Sequence, residues 1–190
     1  MEGSTDLAIL RSLAKILDHP VREHLERPFV HYVLNQPRKA QEHFYGIRET
    51  KPDLVGIAIF DRLDVCLPSD PNLVQNMWRQ RELENYFCSK DVILYWVNAT
   101  AESNSDGPLF AREWVETMSG IITELESALK TLNKPSPWEK DIKVTDDFLD
   151  PLLKRFLISS SFQISCRRPI IMCLQNLSLP KISSLKYRRC

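Results

Sequence analysis

The 190-residue chain is 43% hydrophobic and 26% charged, the balance of an ordinary soluble globular protein and a length for one domain rather than two large ones. Its formal net charge of +0 excludes a global basic field for nucleic acid, while leaving room for a local patch. No apolar run reaches the ~18 residues of a membrane span, and an acidic start at Glu2 and Asp6 lacks the basic-then-apolar pattern of a signal peptide.

The first predicted element is a helix. Leu7, Leu10, Leu13, Ala14 and Leu17 fall on one face, with Ser4, Thr5 or Asp6 as N-cap. Glu2 stands just before it, where an α/β unit turns from strand to helix, and the chain reads as if that first strand had been cut away. Asp18-His19-Pro20 ends the helix, and Val21–Arg27 is polar, a short helix or loop. Phe29–Leu34, rich in β-branched and aromatic residues, predicts a strand, and Pro37–Arg48 a helix with Ala40, His43, Phe44 and Ile47 on one side. After the turn at Lys51-Pro52-Asp53, the uncharged run Leu54–Phe60 predicts a strand buried on both faces. It ends in Asp61 and Asp64, beyond the carboxyl end of a strand, where chemistry collects in open α/β sheets.

A loop at Leu67–Pro71 leads to a predicted strand at Met77–Leu83 and a helix at Asp91–Val97, followed by a polar, loop-like piece from Ala99 to Gly107. Phe110–Leu132 is an amphipathic helix carrying Trp114, Met118, Ile121, Ile122, Leu125 and Leu129, broken by Lys134-Pro135-Ser136-Pro137. Thr145-Asp146-Asp147 is expected to cap a last helix over Phe148–Ile158. From Phe162 to Cys190 the chain has six Lys or Arg, no acid and no sustained period, the pattern of a poorly packed basic tail. One codon choice for Phe162–Gln175, shifted by one frame, encodes a more ordinary globular sequence, which makes a frameshifted tail a specific alternative. The order of elements predicts an α/β fold, a small and mostly parallel sheet flanked by helices with a helical C-terminal extension. Residues 1–100 form the core, 101–160 the extension and 161–190 the tail.

Absent motifs narrow the chemistry. With five glycines and neither GxxxxGK[ST] nor GxGxxG, the chain has no ATP site of its own. There is no GxSxG elbow and no HExxH, and His19, His24, His31 and His43 are scattered as surface or packed residues. Cys66, Cys88, Cys166, Cys173 and Cys190 show no CxxC spacing, which argues against disulfides and zinc and fits a reducing cytoplasm. What remains is acidic: Glu2, Asp6, Asp61, Asp64, Glu82 and Glu84 all fall at strand ends or turns. Such a cluster suits Mg2+ or Mn2+, hard ions that prefer oxygen ligands, in a two-metal site for phosphodiester cleavage. Taken singly, each acid is better explained as a solvated residue or a helix cap; taken together in an α/β order, they point to a site.

Glu2-Gly3-Ser4-Thr5-Asp6 before a helix resembles the E-G-x-x-D motif that opens Toprim domains. Ile59-Phe60-Asp61-Arg62-Leu63-Asp64 stands where their apolar strand ends in D-x-D, here as D-x-x-D. Arg81-Glu82-Leu83-Glu84-Asn85-Tyr86 resembles the R-E-I-E-N-Y segment in the Toprim half of OLD-family (overcoming lysogenization defect) ATP-dependent endonucleases. The resemblance spans about residues 1–160. It implies a Toprim-like fold and metal-dependent cleavage of DNA, with Glu2 as catalytic base or ligand, Asp6 close by, and Asp61 and Asp64 as metal ligands. Glu82 or Glu84 would serve a second ion, Arg79 and Arg81 would meet phosphate, and a basic residue late in the domain would stabilise charge. The partners implied are DNA and a separate ABC-type ATPase domain, with a homo-oligomer compatible and no membrane. The chain would then be a fragment with weak or no activity alone. The alternative expectation is a non-catalytic Toprim-like module that binds an ATPase partner or DNA.

Overall fold

The computed structural model describes residues 1–103 and 108–159. The basic tail, its reading frame and Cys166, Cys173 and Cys190 lie outside the described residues. Helices predominate: α1 (Ser4–Ile16), α2 (Arg22–Glu26) and α3 (Pro37–Arg48) precede strands β1 (Gly56–Phe60) and β2 (Leu73–Met77), and α4 (Lys90–Ser103), α5 (Pro108–Thr131) and α6 (Asp150–Ser159) follow. A 3-10 turn over Glu84–Tyr86 leads into α4, and a π turn over Thr145–Leu149 leads into α6. The fold is therefore mixed helix and sheet, with a two-stranded parallel sheet pairing Gly56 with Leu73 through Phe60 with Met77. Among the described residues no helix is long and apolar enough to cross a membrane.

Three expectations about strands need correction. Phe29–Leu34 joins no ladder; its backbone instead meets the chain start, Val33 N–H donating to the Met1 carbonyl at 2.9 Å and Leu34 N–H to that of Glu2 at 3.4 Å. The strand expected at Met77–Leu83 lies at Leu73–Met77, because Leu73, 3% exposed, supplies the core residue opposite Gly56. Beyond Met77 the backbone leaves the sheet: the N–H groups of Arg79 and Gln80 donate to the Tyr86 hydroxyl and that of Arg81 to the Lys140 carbonyl. Nor is β1 buried on both faces. Ala58 and Phe60 face the core under α3, while Val55 and Ile57, about 70% exposed, face outward, because a helix covers only one side of so small a sheet. The cover is close: a Cβ on Gly56 would stand 2.9 Å from the Phe44 ring and 3.2 Å from Leu73.

The helices match expectation more closely. α3 has the predicted bounds, with Pro37 at its first turn and Ala40 and Phe44 buried. α1 buries Leu7, Ile9 and Ala14 and leaves Leu17 63% exposed, so its inward face is rotated from the predicted one. α4 continues through the piece predicted as a loop to Ser103, because Ala101, 2% exposed, packs with Trp96 and Val97 in the same core as Met118 and Phe156 of α5 and α6. That helical core begins at α4, ahead of the boundary drawn at residue 100. Two smaller clusters complete the interior. One joins α3 to the sheet, and one joins Ile9 of α1 to Leu83.

Candidate functional site

β1 ends in the buried ring of Phe60, and the next residue, Asp61, enters a hollow of about 230 Å3 at the carboxyl end of the strand. Its backbone is held there by Asn35, whose Oδ1 accepts the Asp61 N–H at 2.9 Å. Asn35 reaches it through a left-handed pair: Leu34 and Asn35 have φ of 49° and 59°, a conformation that Asn tolerates and Leu adopts at a cost. The same turn brings Leu34 N–H to the Glu2 carbonyl, so one segment seats both Asp61 and the start of α1.

Glu2 lines the hollow from the amino end of α1. Asp6, in the first turn, accepts the N–H of Glu2 at 3.1 Å and of Gly3 at 3.5 Å, both on Oδ2. This is the backward half of a capping box, in which a carboxylate satisfies donors that the helix leaves unpaired. Gly3, not Ser4, Thr5 or Asp6, takes the N-cap position.

Glu82 and Glu84 come from the loop after β2, a loop and 3-10 turn rather than a strand, so no strand alternation sets their common direction. Asn85 locks this loop from within: Oδ1 accepts the Glu82 N–H at 2.9 Å, and Nδ2 donates to the carbonyls of Glu139 at 3.2 Å and Ile142 at 3.1 Å. Glu82, 4% exposed, turns Oε2 to the Thr145 N–H at 3.0 Å, at the start of the π turn. A carboxylate there meets the positive end of the helical segment. Glu82 therefore does for α6 what the Thr145-Asp146-Asp147 run was expected to do for itself. Lys143 and Asp146, ion-paired with each other, complete the rim.

Six carboxylates (Glu2, Asp6, Asp61, Glu82, Glu84 and Asp146) and one lysine thus line a single hollow. Burial first, then a hydrogen bond with Glu2 and the charges of Glu2, Glu84 and Glu82, push the Asp61 carboxyl well above the carboxylate range. Like charges gathered in one hollow do not all ionise cheaply, so Asp61 keeps its proton where an isolated carboxylate would lose it. Burial, with Glu82, Asp6 and Glu2 nearby, pushes Glu84 up to about 7. Burial also raises Asp6 against its two backbone hydrogen bonds, and raises Glu82 against the donors of Thr145. Asp146 holds Lys143 protonated. The hollow is short of positive charge and makes up part of the deficit with protons. Among the described residues no three acids, histidines or cysteines are spaced to hold a metal ion as they stand.

Asp64, Arg79 and Arg81 do not join the others. The Asp64 side chain is 90% exposed and its nearest cation is Arg81, at 3.9 Å. With three residues from Asp61 to Asp64 rather than two, the second acid leaves the hollow. Arg79 is exposed, and its carbonyl accepts from Arg62 at 3.4 Å. Arg62 itself pairs with Asp141 at 2.6 Å. Sequence reasoning missed Asn35, Asn85, Lys143 and Asp146. Asn85 stood in the R-E-I-E-N-Y-like segment and Asp146 in the predicted cap run, with Lys143 just before it, but nothing there pointed to a place in the site. The contact that brings Lys143 into the site, from Glu82 to Thr145, spans 63 positions and leaves no local pattern. Comparison with models of known protein families, with curated proteins and with solved structures finds no match to this chain.

Proposed function

We propose that the chain is a Toprim-like domain that hydrolyses DNA phosphodiesters with Mg2+ or Mn2+ in the acidic hollow, as in the nuclease half of the OLD-family endonucleases it resembles. One observation carries the reading. Glu2, Asp61 and Glu84 come from the three separate segments on which the resemblance rests, and all three line one hollow at the carboxyl end of a parallel strand. Helix caps or solvated acids give no reason for that convergence. The donors are all oxygen, which fits hard divalent ions better than zinc or copper.

Glu2, Asp61 and Glu84 would hold the metal, with Asp6 contributing its second oxygen. When bound, a pair of such ions stabilises the attacking and leaving oxygens of the phosphodiester. Glu2 would accept the proton of the attacking water on its carboxylate. Lys143, paired with Asp146, would offer a cation at the rim for the phosphate. Asp64 is left out of this ligand set. A separate ABC-type ATPase domain is the partner this reading implies.

Calorimetric titration with Mn2+ at pH 8 tests the reading. Binding at millimolar affinity or better is expected, abolished by Asp61→Ala and kept by Asp64→Ala. Nicking of supercoiled plasmid, lost in Glu2→Ala, then reports the chemistry. A wild-type chain that takes up no Mn2+ sinks the nuclease reading. The second reading, a Toprim-like module that binds DNA or an ATPase without cleaving, is favoured by one fact: among the described residues no three acids are already spaced for a metal.

A further inference from the structure

Beside the acidic hollow lies a second one. Glu2 and Leu34 line the first, and their chain neighbours Met1 and Val33 line the second, so the backbone pairing of Val33 with Met1 separates the two. The second hollow holds about 140 Å3 and has apolar walls from Phe44, Ile47, Leu54 and Ile57. Its mouth carries three aromatic rings in nearly parallel planes. His31 stacks on His43 at 3.6 Å and 13°, and Phe29 lies 6.5 Å from His43 at 11°.

Two features are unexplained by packing. Phe29 is 82% exposed and His31 is also exposed, so two of the three rings present apolar faces to water. Nε2 of His43 is shielded from water and has no hydrogen-bond partner among the described residues, a costly state for a polar atom unless something meets it. A ligand satisfying both is flat and aromatic, with a polar edge. Size limits it further: an apolar cavity of about 150 Å3 admits one six-membered ring, and this hollow, about 140 Å3 and open to solvent on one side, matches one such ring rather than a fused pair.

We propose that this hollow receives an unstacked pyrimidine base of single-stranded DNA, stacked against Phe29 and His31 with its polar edge toward His43 Nε2. The proposal rests on the nucleic-acid reading of the neighbouring acidic hollow and adds to it how the strand is held. Bases splayed from single strands stack on such aromatic platforms without needing base pairing. One base in this hollow leaves the adjoining backbone next to Glu2 and Asp61, because the two hollows share the Met1–Glu2 and Val33–Leu34 segments.

The test uses the full chain with a dT8 oligonucleotide in EDTA, so that metal binding plays no part. Fluorescence anisotropy gives the affinity, and proton NMR follows the thymine methyl groups and the imidazole C–H signals of His31 and His43. Saturable binding is expected, with upfield ring-current shifts of thymine and shifts at both histidines. Phe29→Ala and His31→Ala, both at exposed positions, should each weaken binding about tenfold while far-UV circular dichroism stays unchanged. An abasic strand of the same length should bind as weakly as those variants, and dA8 several-fold less tightly than dT8. Equal affinity for the abasic strand and dT8 would overturn the proposal, as would unchanged affinity in both variants. If the Mn2+ titration fails while dT8 binding and its Phe29 dependence persist, the nuclease reading falls and the base site stands.

Discussion

Glu84 has a folded-state value near 7 against an ordinary value of 4.5, so folding takes up a proton between those pH values. The stability it contributes is complete below about 4.5 and is lost as the pH rises through 7. Asp61, raised further by its burial and by the charges of Glu2, Glu84 and Glu82, extends the loss to higher pH. The metal-free chain should therefore melt lower at pH 8 than at pH 5.5, by ~2–4 °C for each kcal/mol lost. Mn2+ should restore the midpoint at pH 8 and do little at pH 5.5, where the carboxyl groups keep their protons. Differential scanning calorimetry at the two pH values decides it, and a midpoint that does not fall counts against this account of the hollow.

Among the elements, α3 and the sheet depend on the missing side chain at Gly56. Gly56→Ala puts a methyl group 2.9 Å from the Phe44 ring, and overpacking of this kind costs about 1–3 kcal/mol, read as a lower urea midpoint. Gly56→Ala with Phe44→Leu should recover part of that loss, which separates crowding from a general effect on the strand. The loop after β2 depends on Asn85, 9% exposed, which makes three hydrogen bonds to backbone. Asn85→Ala strands those groups at a cost of about 2–4 kcal/mol. It should also weaken Mn2+ uptake, because Glu82 and Glu84 lose the frame that presents them. Unchanged stability in Asn85→Ala would show that water replaces the side chain freely.

Across the whole molecule, the helical half and the sheet half are joined at the site. Arg81 N–H bonds the Lys140 carbonyl, Asn85 bonds those of Glu139 and Ile142, and Glu82 bonds Thr145. A lesion deep in the helical core should therefore be felt at the acidic hollow. Phe156 is 1% exposed, with Trp96 and Trp114 edge-on at 6.4 and 6.2 Å. Phe156→Ala should cost about 3–5 kcal/mol, with far-UV and near-UV signals melting together. Two separated transitions would mean that the halves fold independently and that the joint is weaker than its hydrogen bonds imply.

The amphipathic helices were legible in the sequence because their period is local: α3 and α5 follow from the spacing of residues such as Phe44, Met118 and Ile122. So was the acidic character of the site, since Glu2, Asp6, Asp61, Glu82 and Glu84 were each visible at a turn or strand end. The strands were less legible. Whether Phe29–Leu34 or Leu73–Met77 pairs with β1 depends on partners distant in the chain, and β-branched composition does not name them. Of the acids, Asp64 was already set apart from Asp61 by the D-x-x-D spacing, and the backbone carries it into solvent beside Arg81. The sequence by itself determined the helices and a supply of carboxylates, because both are properties of short stretches. Only the tertiary structure decided which carboxylates share a hollow, which serve as caps, and that Lys143 stands among them, because those outcomes depend on hydrogen bonds between segments far apart in the chain.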